Sequence, residues 1–263
     1  MEMAQVIQKQ HFVLVHGAGH GAWCWYKLRY HLQSSGHKVS CLDLAGAGID
    51  PSDPNSLLSF NDYNQPLSHF LSSLPPNHKV VLVGHSSGGL SLTQALHEFG
   101  DKISLAIFVA ATMLPFGILT EQDARDVVAD LSEYGDICEY NYGRGPDDPP
   151  TTVYLKKEFQ RKILYQMSPE EDSILASMLL RPSSKIAFKT AKFSGGDVER
   201  VRRVYIKTMN DRMVKPEQQD GMIRKWPPSE VMTINTDHSP FFSAPEELCR
   251  LILKASNSSL AAK

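Results

Sequence analysis

The segment Gly84-His85-Ser86-Ser87-Gly88 restricts the fold of this chain more than any other feature, because it joins a strand-like run to a helix-like one. Residues 80–83 before it are apolar, and residues 89–97 after it have a helical pattern. A serine on a sharp turn between a buried strand and a helix has its hydroxyl held out at the edge of a sheet. The glycines of such a turn permit a strained backbone and let the helix and the strand pass closely. The segment therefore predicts that Ser86 is a nucleophile on an α/β scaffold.

Two later strand-like runs end in the side chains that a serine nucleophile needs. Residues 201–208 lead to Asp211, and residues 230–235 lead to His238. The α/β-hydrolase fold carries its triad in the chain order serine, acid, histidine, each after a strand. A neutral imidazole can accept the serine proton, and a carboxylate on its other nitrogen sets the tautomer. We therefore predict that His238 is the base and Asp211 the acid.

Two other positions could supply the acid. Asp237 is adjacent to His238, but consecutive side chains of an extended segment point to opposite faces, so it is poorly placed to orient the ring. Some hydrolases of this fold carry the acid after the preceding strand, yet here residues 103–110 are followed by Ala-Thr-Met at residues 111–113. Neither position competes well with Asp211.

A glycine-rich loop, His16-Gly17-Ala18-Gly19-His20-Gly21, follows the apolar residues 11–15. Loops of this type direct a backbone N–H toward a developing oxyanion, together with the N–H of the residue after the nucleophile. The predicted donors are the amides of Ala18 and Ser87. The glycine spacing does not match the G-x-G-x-x-G of a dinucleotide site, so we do not predict a nucleotide cofactor.

Composition restricts the class of protein. The chain has 263 residues, 42% of them hydrophobic, and a net charge of −2, which argues against a nucleic-acid or membrane-surface partner. Residues 1–10 are polar rather than signal-like, and no run approaches the ~20 apolar residues of a membrane span. The four cysteines lie far apart with no C-x-x-C pair, which predicts free thiols and no metal site: Cys24, Cys41, Cys138 and Cys249. We expect a cytoplasmic enzyme.

The alternation of strand and helix is interrupted in the middle of the chain. We predict a core domain of residues 1–112 and 199–263 and a largely helical cap insertion of residues 113–198, with helices near 158–167 and 169–180. A cap at this point of the fold covers the serine, excludes water and selects the acyl group. Six side chains are candidates for the pocket wall or, equally, for the interior of the cap: Phe116, Tyr134, Tyr140, Phe159, Tyr165 and Met178.

Four motifs together resemble the plant methylesterase and hydroxynitrile lyase family. They are V-H-G-A-G-H-G-A-W-C-W at residues 15–25, L-D-L-A-G-A-G-I at residues 42–49, the G-H-S-S-G-G turn, and S-P-E-E-D at residues 168–172. The resemblance implies a mostly parallel six-stranded sheet, no cofactor, and hydrolysis of methyl esters of small plant hormones or metabolites. It assigns the triad to Ser86, Asp211 and His238. Relatives are often dimers, so a homodimer is the assembly that the resemblance suggests.

The same family includes lyases, and related hydrolase-fold receptors act mainly by binding their ligand. Lyases of this type carry threonine and lysine where this chain has Gly17 and Ser239, and ketone-forming relatives replace the nucleophile that Ser86 retains. A serine hydroxyl cannot supply the positive charge that a lysine offers to departing cyanide. An esterase is therefore favoured, with a lyase and a receptor of low turnover as alternatives.

Residues 211–220, 226–229 and 237–243 resemble most the branch that hydrolyses methyl indole-3-acetate, the methyl ester of auxin. An indole-sized acyl group needs an apolar, aromatic pocket, and Phe241 and Phe242 follow the predicted base. The alternative is that both rings pack the last helix against the sheet. With Gly17 and His85, which lie beside the predicted oxyanion donor and nucleophile, they complete the candidate substrate-binding residues. The methyl esters of salicylate, jasmonate and alkaloids are the competing substrates.

Overall fold

One parallel sheet organises the molecule, which the computed structural model describes over residues 9–127 and 131–261. Its strands are β1 (His11–Val15), β2 (Lys38–Leu42), β3 (Val80–His85), β4 (Ile103–Val109), β8 (Arg203–Thr208) and β9 (Glu230–Ile234). They lie in the order β2-β1-β3-β4-β8-β9. The predicted six-stranded sheet of the α/β-hydrolase fold is confirmed.

Helices cover both faces of the sheet, which explains why its central strands are apolar along their length. Alternate residues point to opposite faces. Phe12 and Leu14 of β1 belong to a core with α1 (Tyr26–Ser34) and α10 (Pro245–Ala261), whereas Val13 and Val15 belong to a core on the other face. That second core includes α2 (Phe60–Ser72) and α3 (Gly88–Phe99). Helix α8 (Pro216–Lys225) connects β8 to β9, and the short helix α9 (Pro240–Ser243) precedes α10.

Parallel strands bring the four predicted functional segments to one edge of the sheet. The glycine-rich loop follows β1 and Ser86 follows β3, while the segments with Asp211 and His238 follow β8 and β9. The register agrees with this arrangement, since Val15 pairs with Gly84 and Thr208 pairs with Ile234. Residues that are far apart in the chain therefore meet at the carboxyl ends of the strands.

The chain between β4 and β8 forms an insertion of helices and a small antiparallel sheet. Its elements are α4 (Glu121–Val127), β5 (Cys138–Asn141), β6 (Thr152–Leu155), α5 (Lys157–Leu164), α6 (Glu170–Leu179), β7 (Ser183–Ser184) and α7 (Lys185–Lys189). Helices α5 and α6 correspond to the two predicted helices. The small sheet was not predicted, because its strands have two to four residues and show no clear alternation of apolar and polar side chains.

The chain also forms short 3-10 helices at Ala22–Trp25, Pro54–Ser56, Gly100–Lys102 and Ser132–Tyr134. None of the helices within residues 9–127 and 131–261 combines the length and the apolar character needed to cross a membrane.

Candidate active site

Ser86 lies on a strained turn between β3 and α3. Its φ angle is +53°, in the left-handed region that non-glycine residues rarely adopt. Hydrogen bonds hold the turn: the Ser86 N–H donates to Val109 O at 3.3 Å, and Ser86 O accepts from the N–H groups of Gly89 at 3.1 Å and Thr112 at 2.9 Å. A Cβ on Gly89 would lie 2.0 Å from Thr112 O, so only glycine allows this close approach. The surrounding backbone thus keeps the serine in its strained conformation.

His238 and Asp211 form a buried pair at the same edge of the sheet. His238 Nδ1 lies 2.8 Å from Asp211 Oδ2, and neither residue is more than 4% exposed. Asp211 Oδ2 also accepts from Thr208 Oγ1 at 2.8 Å, while its Oδ1 accepts from the N–H groups of Met213 and Val214, each at 2.8 Å. These bonds fix the carboxylate, which in turn fixes the ring of His238.

The competing carboxylate, Asp237, points away from the imidazole of His238. Its Oδ2 accepts from Met167 N–H and Ser168 Oγ, and its Oδ1 accepts from Ser239 N–H and Ser243 Oγ. The side chains of Asp237 and His238 therefore point in different directions, as expected for consecutive residues of an extended segment.

Ser86 and His238 line the same cavity. Both lie within residues 9–127 and 131–261, where no hydrogen bond joins Ser86 Oγ to His238 Nε2. In enzymes with this arrangement the bond often tightens only when the substrate is in place.

A pair of buried hydrogen bonds orients the peptide between Gly17 and Ala18. Its carbonyl oxygen, Gly17 O, accepts from His16 Nδ1 at 2.8 Å and from the His20 N–H at 3.2 Å. Because His16 Nε2 accepts from the Leu44 N–H at 3.1 Å, His16 is neutral with its proton on Nδ1. Burial lowers the pKa of His16, which favours this neutral form. In a trans peptide the N–H points opposite to the C=O, so the Ala18 N–H is directed away from these donors.

The second predicted oxyanion donor, the N–H of Ser87, lies at the start of α3. A helix N-terminus carries partial positive charge, which favours a developing anion. Within residues 9–127 and 131–261, neither this N–H nor that of Ala18 donates to a protein acceptor. Both groups are therefore free to bind a substrate oxygen.

His20 is a cavity residue that the sequence analysis did not single out. Its Nδ1 donates to Ala18 O at 3.0 Å, so its Nε2 accepts from the hydroxyl of Tyr165 at 2.7 Å. Burial lowers the pKa of His20 to about 3, so the ring is neutral over the physiological range. The H-G-A-G-H-G loop contains this residue, but its partner Tyr165 is 145 residues away, and only the folded chain shows the contact.

Two predicted pocket residues, Gly17 and His85, do not line the cavity. His85 is fully buried and its Nε2 donates to His238 O at 2.7 Å, so it supports the backbone of His238. Burial holds the pKa of His85 well below its ordinary value, which keeps the ring neutral. Gly17 is needed for space, since a Cβ there would lie 2.8 Å from Ser86 Cβ. The structure thus shows one supporting role and one spacing role, and the substrate binding by these two residues stays a prediction.

Phe241 and Phe242 are also absent from the cavity wall. Both are at most 1% exposed and belong to the core under α1 and α10, where Phe241 meets Trp25 with ring centroids 5.1 Å apart. This burial agrees with the alternative that both rings pack the last helix against the sheet, and their part in substrate binding stays a prediction.

The cavity encloses about 130 Å³, and the insertion supplies most of its wall. The wall is largely aliphatic, and its apolar members include Leu131, Val153, Leu155, Leu164, Leu180 and Met213, with Ala18, Tyr154 and Cys138. None of the six candidates from the sequence lines it. Phe116, Tyr140 and Met178 are exposed, and Tyr165 reaches the site only through His20.

Comparison with known proteins places this geometry among hydrolases. A family model described as "Alpha/beta hydrolase family" matches residues 12–251. Methylesterase 17 of Arabidopsis thaliana is 50% identical, with 97% of this chain and 94% of that protein covered. Pheophorbidase of Raphanus sativus is 48% identical, with 93% of this chain and 93% of that protein covered. The crystal structure of the methylesterase MES16 from Arabidopsis superposes with a TM-score of 0.85 at 46% identity, covering 94% of this chain and 99% of the other.

Proposed function

Because this chain belongs to the plant methylesterase family of the α/β hydrolases, and is thus a carboxylic ester hydrolase, we propose that it cleaves methyl indole-3-acetate with Ser86, His238 and Asp211. One observation carries the proposal. The Asp211-bonded imidazole of His238 and the strained Ser86 line a single, mostly apolar cavity, beside two backbone N–H groups that have no acceptor in the described chain.

The first half of the reaction forms an acyl-enzyme. Ser86 Oγ attacks the ester carbonyl carbon while His238 Nε2 takes the serine proton, and Asp211 stabilises the imidazolium. The N–H groups of Ala18 and Ser87 hold the negative oxygen of the tetrahedral intermediate. The bond from carbon to the methoxy oxygen then breaks, and His238 returns its proton so that methanol leaves.

The second half releases the acid. A water molecule gives a proton to His238 and attacks the acyl carbon, which forms a second tetrahedral intermediate in the same oxyanion site. The bond to Ser86 Oγ breaks, the serine regains its proton from His238, and the carboxylic acid departs. His238 accepts and returns the proton in both halves, while the two amides act only as hydrogen-bond donors.

The cavity favours a neutral, apolar acyl group. Arg181 lies on its wall, but its guanidinium donates to the backbone oxygens of Gly48 at 3.2 Å, Asp50 at 2.6 Å and Ser52 at 3.2 Å. The guanidinium therefore hydrogen-bonds to the protein backbone and is not positioned to pair with a charged substrate. A planar indole fits an aliphatic wall of this kind, and the resemblance to the auxin branch supports the choice of indole-3-acetate.

Ser183 offers a specific partner for the indole N–H. It lies on the cavity wall, and its hydroxyl has no hydrogen-bond partner within the described residues. This oxygen can accept from the ring nitrogen of an indole, whereas the acyl group of jasmonate has no donor and that of salicylate has no ring N–H.

The test compares kcat/KM for methyl indole-3-acetate, methyl salicylate and methyl jasmonate, since that ratio measures differential binding of the transition state. Methyl 1-naphthaleneacetate is the matched control, because it keeps a bicyclic ring but has no N–H. Ser183→Ala should reduce the preference for indole over naphthalene by about 2- to 10-fold, as expected for one neutral hydrogen bond.

Two outcomes would count against the proposal. A clear preference for salicylate or jasmonate removes the auxin assignment and leaves the methylesterase class in place. Release of only a few product molecules per protein molecule, with any of these esters, would instead favour the receptor alternative.

A further inference from the structure

The connection between α5 and α6 contacts two catalytic loops at once. Resting on the proposed function, we propose that Tyr165 and Ser168 are positioning residues, which fix the oxyanion loop and the histidine loop relative to each other. The connection is itself closed by a hydrogen bond from the Ser168 N–H to Tyr165 O at 3.1 Å. It therefore acts as one short unit with a contact at each end.

One contact leads to the oxyanion loop. The Tyr165 hydroxyl donates to His20 Nε2 at 2.7 Å, and His20 Nδ1 donates to Ala18 O at 3.0 Å. Tyr165 and His20 are both at most 2% exposed. Since water cannot easily replace these buried bonds, the tyrosine hydroxyl holds His20, and His20 holds the residue that supplies an oxyanion donor.

The other contact leads to the loop that carries His238. Ser168 Oγ donates to Asp237 Oδ2 at 2.9 Å, and the Met167 N–H donates to the same oxygen at 2.8 Å. On its other side, Asp237 Oδ1 accepts from the Ser239 N–H at 3.0 Å. The carboxylate thus ties the connection to the residues on both sides of His238.

Acyl transfer needs the base and the oxyanion donors at a defined separation from one carbonyl group. Ser86 lies on the rigid turn after β3, but the two loops leave the sheet from β1 and β9, which are not neighbours. The connection between α5 and α6 links the oxyanion loop to the histidine loop through its two contacts. Loss of either contact should leave the fold intact and let one loop drift.

The experiment removes one hydroxyl at a time. Tyr165→Phe and Ser168→Ala should each lower kcat for p-nitrophenyl acetate by about 10- to 100-fold with KM nearly unchanged, because misplacement of a reacting group acts on the rate. This substrate reports on acyl transfer whatever the natural acyl group is. In addition, the downfield proton resonance of the His238 Nδ1–H bond to Asp211 should shift in Ser168→Ala and stay in place in Tyr165→Phe.

Tyr26→Phe is the matched control. The Tyr26 hydroxyl donates to Asp172 Oδ1 at 2.6 Å, so it also ties the insertion to the core, but it contacts neither loop. We expect this variant to change Tm slightly and to leave kcat within about twofold of the wild type.

Three results would overturn the inference. They are kcat values for Tyr165→Phe and Ser168→Ala within about twofold of wild type, a loss confined to KM, or an equal loss of kcat in Tyr26→Phe. Ser86→Ala, assayed in parallel, tests the triad separately, so failure of the inference is distinguishable from failure of the proposed function. Should one hydroxyl variant not fold, the other decides by the same criteria.

Discussion

The loops after β8 and β9 each bury one carboxylate near His238, and the two carboxylates have similar bonding but different partners. Asp211 accepts four hydrogen bonds, from Thr208, Met213, Val214 and the His238 ring, all within the core. Residues at and just after the end of β8 hold this carboxylate, and it is hydrogen-bonded directly to the proposed base.

Asp237 also accepts four hydrogen bonds, but two come from the insertion, from Met167 and Ser168, and two from the start and end of α9, from Ser239 and Ser243. The comparison teaches that burial and bond count do not identify a catalytic carboxylate. The identity of the donor does, because only a carboxylate bonded to the imidazole can set its tautomer.

Removal of the Ser86 hydroxyl should cause the largest loss of activity, against which changes in the two loops can be compared. Ser86→Ala should lower kcat by several orders of magnitude, because the variant lacks the hydroxyl that forms the acyl-enzyme at this turn. Steady-state kinetics with methyl indole-3-acetate measure the loss, and an unchanged Tm shows that the fold is intact. Retention of more than about a tenth of the wild-type rate would remove Ser86 from the mechanism.

Asp211→Asn should lower kcat by roughly 10³- to 10⁴-fold with little change in Tm. The amide oxygen can replace Oδ1 and accept from Met213 and Val214 as before. The amide nitrogen then replaces Oδ2 and donates to His238 Nδ1, which puts the ring proton on Nε2, where the serine proton must go. Both kcat and Tm are measured on the same preparation of the variant.

Asp237→Asn should show the opposite balance, with a far smaller loss of rate and a larger loss of stability. Each of its oxygens accepts from one backbone N–H, of Met167 or of Ser239, so either placement of the amide nitrogen opposes a donor that cannot reverse. Such a buried mismatch costs about 1–3 kcal/mol in the free energy of unfolding. If Asp237→Asn lost more activity than Asp211→Asn, the distinction between the two loops would be wrong.

The last expected effect is on the pH dependence of stability, and it concerns the buried histidines around these two carboxylates. Burial lowers the pKa of His16, His20 and His85, with His20 at about 3 against 6.5 for an unperturbed ring. Below about pH 6.5 the unfolded chain therefore binds protons that the folded chain does not, so stability falls with decreasing pH until the folded pKa is reached. Each such proton contributes about 1.4 kcal/mol per pH unit to the slope.

Urea unfolding between about pH 7 and about pH 4 measures that slope. His20→Gln should reduce it by about one proton relative to the wild type, whatever its effect on stability at neutral pH. An unchanged slope in the variant would mean that His20 is not held neutral in the folded protein.

Sequence and structure agree best where the pattern is local. The apolar runs of β1, β3 and β4 and the turn at Ser86 are contiguous, and the rule that parallel strands end at one edge then brings distant segments together. The pairing of His238 with Asp211 rather than Asp237 followed from the alternation of side chains along a strand. These inferences need only short stretches of chain and a known topology.

Agreement is poorest where a role depends on packing. Phe241 lies three residues after the predicted base, yet its ring packs against Trp25 in the core. The walls come instead from aliphatic residues such as Leu155 and Leu180 of the insertion. An aromatic ring is equally suited to a pocket and to a core, so its type alone could not decide between them.

By itself, the sequence determined the sheet, the order of the predicted triad and the family, because a strand, a tight turn and a motif are each encoded by neighbouring residues. Only the tertiary structure decided which side chains face the cavity, that His16 and His85 act on the backbones of Gly17 and His238, and that Tyr165 and Ser168 contact two separate loops. Those contacts join residues up to 153 positions apart, and their geometry depends on how the insertion packs on the core. No local pattern encodes that packing, since it results from burial and hydrogen bonding summed over the whole chain.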